Sequence, residues 1–126
     1  MASTVPRGPR EIIKAMRYSA QGLVAAVRYE SSFRMELYLF IVLAPLSLWL
    51  GSNSIERVLM LGSLLLILIV ELLNGAVEAI VDKTTPEYHE LAGRSKDMGS
   101  AAVFLCMVNA AATWALILVP RYAGAD

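Results

Sequence analysis

Glu71, Asn74, Glu78 and Asp82 recur at spacings of three, four and four in and just beyond an apolar run, VLMLGSLLLILIVELLNGAVEAIV at 58–81. Those spacings put all four on one face of a helix. An ionisable group in hydrocarbon costs roughly 3 kcal/mol on insertion scales. Two carboxylates placed there need a partner, a metal or a chemical task such as proton abstraction. A second stripe, His89, Gly93, Lys96 and Ser100, follows at four, three and four. Lys96 supplies the cation that a carboxylate cluster needs, and equally one that would neutralise phosphate. Glu30 and Glu36 bracket the start of an earlier apolar stretch. Carboxylates gathered at one interface suit Mg²⁺, which takes one or two of them and completes its shell with phosphate and water. Against these readings, Glu30 beside Arg28 or Arg34 is equally a solvated carboxylate. His89 is equally a surface side chain between two acids. Glu90 and Arg94 form an ordinary helical pair.

The elements that must position these residues follow from hydropathy. The chain is 57% hydrophobic, against about 45–50% for soluble domains. Three apolar stretches, 35–50, 58–81 and 98–119, account for the excess. Each approaches the ~20 residues that cross about 30 Å of hydrocarbon, the first by borrowing Ser31, Ser32 and Phe33. So small a chain could not bury three such helices on itself, which disfavours a soluble bundle. The expected architecture is an all-α membrane protein in one domain, 1–126, with transmembrane helices at about 31–50, 56–81 and 97–119. Residues 1–9 read as a flexible tail. Residues 10–29 read as an amphipathic surface helix. Ile12, Ile13, Met16, Ala20, Leu23, Val24 and Val27 fall on one side of it, and Lys14, Arg17, Gln21 and Arg28 on the other. Gly51-Ser-Asn-Ser signals a turn, with Ser54 as the expected helix cap and Glu56 in the first turn. Thr85-Pro86-Glu87 reads as the next helix start, with a bend near Gly93 or Gly99 and a stop at Pro120.

The formal net charge is zero, but its distribution is uneven. Arg7, Arg10, Lys14, Arg17, Arg28 and Arg34 belong to the N-terminal arm and the entry to the first span, and Lys83, Arg94 and Lys96 lie between the second and third. The other two ends hold Arg57 and Arg121. The positive-inside rule places the N-terminal arm and the 82–97 loop in the cytoplasm and the C-terminus on the far side. That orientation grades the stripe by depth. Glu78 lies roughly 6 Å from Asp82 along the helix and Glu71 roughly 16 Å, so Glu71 reaches deepest. The first 34 residues lack a compact apolar core, and no secretory signal peptide is expected. The single cysteine, Cys106, cannot form an intrachain disulfide and reads as packing. Asn109 reads as an interhelical hydrogen bond, and small residues such as Gly99 and Ala110 suit close helix approach. Three helices cover such polar stripes poorly, so oligomerisation is expected. No phosphate-binding loop, dinucleotide fingerprint or zinc spacing occurs, and no nucleic-acid partner is expected. The residues alone describe a small oligomeric membrane protein with a carboxylate-rich cytoplasmic site. A lipid-modifying enzyme, a proton-coupled transporter and a channel all fit.

VELLNGAVEAIVD (70–82) and EYHELAGRSKDMGSAAV (87–103), with IIKAMRYSAQGLVAAVRYESSFRMEL (12–37) upstream, resemble the signature of the prokaryotic diacylglycerol kinase family. The resemblance runs over about residues 11–120. It implies a bacterial inner-membrane homotrimer whose sites are shared between protomers. Each site would transfer the γ-phosphate of MgATP to a lipid alcohol. By motif position, Glu71 would be the general base, and Glu30 and Glu78 would hold the metal. Tyr18, Glu30, Asn74, Glu78, Asp82, Glu87, His89, Lys96 and Asp97 would bind ATP. Arg10, Ser19, Glu36, Glu71 and Ser100 would lie near the lipid. Departures concentrate in the N-terminal helix. Glu11 stands where relatives carry arginine, with Arg10 beside it. Met16 replaces a small residue, and Ala20, Gln21, Val24 and Met35 also differ. A related branch phosphorylates undecaprenol, so the resemblance leaves the lipid open between the two.

Overall fold

A computed structural model describes residues 8–85, 87 and 89–124. They form four helices: α1 Pro9–Tyr29, α2 Ser31–Leu50, α3 Ser54–Thr84 and α4 Glu90–Tyr122. The last three are long and apolar enough to cross a membrane. α3 packs most extensively on α4, then on α2, and α1 makes a lighter contact with α2.

α1 begins at Gly8, with Pro9 in the first turn, where its fixed φ suits the helix and its missing N–H is no loss. The Glu11 carboxylate reaches back to accept from the Gly8 N–H at 2.9 Å. Glu30 then breaks the helix. It is extended (φ −111°, ψ 105°) and serves at once as the C-cap of α1 and the N-cap of α2. Arg34, one turn into α2, donates to the carbonyls of Val27 at 2.9 Å and Arg28 at 3.1 Å. These are among the last carbonyls of α1, which lack helical partners. One side chain thus fixes the elbow. Below it, Ala26, Phe33 and Leu68 form a small core with Leu37, Phe40 and Leu72 packed around it.

α2 continues through Pro45 to Leu50. At the turn into α3, Asn53 rather than Ser54 is the cap, and its side chain accepts from the Glu56 N–H at 2.9 Å. The carboxylate of Glu56 accepts from both the N–H and the hydroxyl of Ser52, which holds Asn53 in the capping position. α4 starts four residues later than the Thr85-Pro86 signal suggests. Thr85 closes α3 as its C-cap, Pro86 lies outside the described residues, and His89 is the N-cap of α4. Its Nδ1 accepts from the Leu91 N–H at 3.1 Å. The helix runs unbroken past Gly93 and Gly99 and is not ended by Pro120. Arg121 anchors its last turn, donating to Leu50 O at 2.7 Å, to Ser52 Oγ at 2.9 Å and to the Glu56 carboxylate.

Within the α3–α4 contact, Trp114 Nε1 lies 3.3 Å from both Met60 O and Ser63 Oγ. Cys106 is buried as a free thiol, as packing predicts. Asn109 is exposed. Among the described residues it forms none of the hydrogen bonds expected of it, because it faces neither α2 nor α3. Large apolar side chains such as Trp49, Ile55, Phe104 and Leu116 lie on the outside, the arrangement of a chain whose surroundings are themselves apolar.

Candidate active site

Glu71, Asn74 and Glu78 occupy successive turns of α3, and α2 and α4 close over them. With Glu30 from the elbow, Glu36 from α2 and Ser100 from α4, they line a cavity of ≈ 300 Å³. Glu36, Glu71 and Asn74 are all buried, at 6–8% exposure. The two stripes of the sequence therefore meet, on the same side as the elbow.

One glycine permits the meeting, and a second makes room beside Glu30. A Cβ at Gly99 would collide with Asn74 Oδ1, so only glycine lets α4 approach α3 this closely here. A Cβ at Gly75 would lie 3.4–3.5 Å from the Glu30 side chain. The Glu30 carboxylate is thus laid across the glycine face of α3, toward Glu78.

The polar groups are under-satisfied by the chain itself. Asn74 Nδ2 lies 3.4 Å from Glu78 Oε1, a long contact. Among the described residues, Asn74 Oδ1 and Glu36 Oε2 are buried with no hydrogen-bond partner. Glu36 meets Glu71 carboxyl to carboxyl. Four carboxylates thus share a cavity whose lining contains no lysine or arginine. Such groups call for a cation or a donor from outside. Among the described residues, no three His, Cys, Asp or Glu side chains close on one point that could hold a metal. Glu30 and Glu78 instead offer two carboxylates, the number that fits Mg²⁺ when phosphate oxygens complete the shell.

Lys96 stands at the rim. Its Nζ lies 2.8 Å from Asp82 Oδ1, joining the last turns of α3 to the second turn of α4. It lies outside the apolar stretch, and the hydrogen bond and charge of Asp82 push its pKa upward, so the ammonium persists across physiological pH.

A second space adjoins the first. A groove of ≈ 750 Å³ between α1 and α3 is lined by Ser19, Gly22, Leu23, Phe33, Leu72 and Ala76, among others, and Glu30 and Glu71 border it too. Glu71 therefore stands in the wall between an acidic cavity and a mostly apolar groove. Of the other residues picked from the sequence, Tyr18, Arg10 and Asp97 are exposed and line neither space. Glu87 is exposed as well, and the His89 imidazole is occupied in capping α4. A single chain does not bring these five to the cavity. Gly75 and Arg34, which set the position of Glu30, carry no chemical signal in the sequence. A lone glycine beside Asn74 in an apolar helix was the available hint of close approach.

Comparison with known proteins adds an independent line. The sequence model described as prokaryotic diacylglycerol kinase matches residues 17–118. A protein of Escherichia coli (strain K12) named diacylglycerol kinase is 47% identical over 111 residues, covering 88% of this chain and 91% of that protein. One of Haemophilus influenzae with the same name is 45% identical, covering 88% and 94%. One of Helicobacter pylori is 34% identical over 116 residues, covering 92% and 91%.

Proposed function

Because the chain belongs to the prokaryotic diacylglycerol kinase family, we propose that it transfers the γ-phosphate of MgATP to diacylglycerol, giving phosphatidic acid. The site would lie at the cytoplasmic face of the bacterial inner membrane. The observation that carries this reading is the place of Glu71, between the apolar groove and the acidic cavity. A lipid hydroxyl arriving through the groove meets a carboxylate whose other side faces Glu30 and Glu78.

In this reading Glu71 takes the proton as the lipid oxygen bonds to the γ-phosphorus and the bond to the β-phosphate oxygen breaks, leaving ADP. Glu30 and Glu78 hold Mg²⁺. Bound there, Mg²⁺ supplies the positive charge that offsets the phosphate oxygens. Asn74 Oδ1 and Glu36 Oε2, the unpartnered buried atoms, gain donors from substrate. Glu36, Ser19, Ser100 and Arg10 belong to the lipid side. Lys96 exchanges part of its bond with Asp82 for phosphate. Tyr18, Glu87, His89 and Asp97 contact nucleotide. Because they lie outside the cavity in one chain, we assign their contacts to a neighbouring protomer in a homotrimer.

The excess of Lys and Arg on the α1 side and in the 82–97 loop supports a cytoplasmic placement of those segments. The deciding assay is ADP release by purified protein in lipid micelles, with and without Mg²⁺, across diacylglycerol, undecaprenol and monoacylglycerol. Mg²⁺-dependent release stimulated most by diacylglycerol supports the proposal. Stimulation by undecaprenol alone moves the substrate to the other branch. No lipid-dependent release, with a pH-dependent solute flux in vesicles, would replace the kinase with a proton-coupled transporter.

A further inference from the structure

Among the described residues, the N-terminal half of α1 has no packing partner. Ile12, Ile13 and Met16 are 57–67% exposed, and the buried residue of this helix, Ala26, sits near its other end. At 100° per residue, Arg10, Lys14, Arg17, Gln21 and Arg28 fall within an arc of about 60°. Arg10, Lys14 and Arg17 gather with Ile13 around one surface depression. Among the described residues, none of the four cations forms an ion pair. The one acid of the helix, Glu11, is turned to the Gly8 N–H.

α1 thus has three distinct sides. Ser19, Gly22 and Ala26 face the groove toward α3. Ile12, Met16 and Val27 form the exposed apolar side, with Leu23 at its boundary with the groove. The cationic arc borders that apolar side at Ile13 and Val24, on the edge turned away from α3. An apolar face flanked by unpaired cations fits the boundary between acyl chains and headgroups, with the cations at headgroup level.

We propose that Arg10, Lys14, Arg17 and Arg28 make α1 a docking surface for anionic phospholipid headgroups, so that its hold on the leaflet rises with the negative charge of that leaflet. Docking goes beyond the proposed activity and does not depend on it. One consequence does rest on it: the reaction turns an uncharged lipid into an anionic one. Product would then strengthen the seat of the helix that walls the groove.

The test uses the full-length protein with Cys106→Ala and Met16→Cys, carrying a polarity-sensitive fluorophore at position 16. It is reconstituted in phosphatidylcholine vesicles with increasing phosphatidylglycerol. A Lys or Arg near an anionic surface contributes a factor of about five in partitioning. Emission should therefore shift to the blue as phosphatidylglycerol rises. The combined variant Arg10→Gln, Lys14→Gln, Arg17→Gln should lose on the order of a hundredfold of that charge dependence. The Arg→Lys variant at 10 and 17 should retain it, and 1 M salt, which shortens the screening length to about 3 Å, should suppress it. Equal immersion in neutral and anionic vesicles, or an unchanged response in the Gln variant, overturns the proposal. ADP release measured on the same vesicles, supplied with diacylglycerol and MgATP, separates the two readings. Its absence in every vesicle fails the kinase alone and leaves the docking result standing.

Discussion

In the proposed reaction Glu71 is the general base, a role that separates cleanly from nucleotide binding. Glu71→Gln keeps the shape and a hydrogen-bonding end but cannot take a proton. Turnover should fall by at least about 10²-fold, the low end for a general base, while MgATP binding by calorimetry stays near that of the parent. Parallel loss of both would remove Glu71 from the base position. Gly99 makes a different kind of prediction. Gly99→Ala drives a methyl group into Asn74 Oδ1, and overpacking of this kind costs about 1–3 kcal/mol. Thermal unfolding in detergent should show the loss, and Gly62→Ala, where a Cβ meets nothing within 4 Å, is the matched control. The residues of the α3 stripe are legible in the sequence because helical spacing alone aligns Glu71, Asn74 and Glu78. Glu36 is not legible in the same way. Whether it meets Glu71 depends on the rotation of α2, which the elbow sets and no local pattern encodes.

At the level of the elements, the elbow is the part that sets the site. Arg34 closes two terminal carbonyls of α1 from the first turn of α2, and Glu30 is the residue between the helices. Arg34→Ala should reduce stability by roughly 1 kcal/mol. It should also lower turnover more than it changes the affinity for nucleotide, because the carboxylate it steadies is displaced rather than removed. A loss of stability with normal turnover would show that Glu30 is held by Gly75 alone. The helices themselves are readable from hydropathy and length. Their ends are less so. Ser54 satisfies the same cap preference as Asn53, and Thr85 satisfies one that His89 lacks. The choice is made by tertiary partners: Glu56 with Ser52 at one end, and the chain's route from α3 to α4 at the other. Pro120 is passed because Arg121 is tied to the α2–α3 turn, a bond across 71 residues of chain that no window of sequence contains.

For the molecule as a whole, the two ends have opposite characters. The end with the cavity holds unsatisfied acids, and the opposite end is closed by Arg121, Glu56, Ser52 and Leu50 O. Arg121→Ala should lower the midpoint of thermal unfolding, because its hydrogen bonds to Leu50 O, Ser52 and Glu56 are lost together, and leave kcat unchanged. A drop in kcat at intact stability would mean that the far end communicates with the site. The proposed association of protomers is not written in any single stripe, because a surface facing lipid and one facing a partner are apolar alike. The elbow has a mechanical consequence as well. α1 spans 21 residues, roughly 30 Å, and joins α2 through a single extended residue. A tilt of about 10° would carry its free end through about 5 Å over a 30 Å arm, yet leave the pivot almost still. The geometry works as reduction gearing: α1 can follow an undulating bilayer while Glu30, at the fulcrum, keeps its place over Gly75.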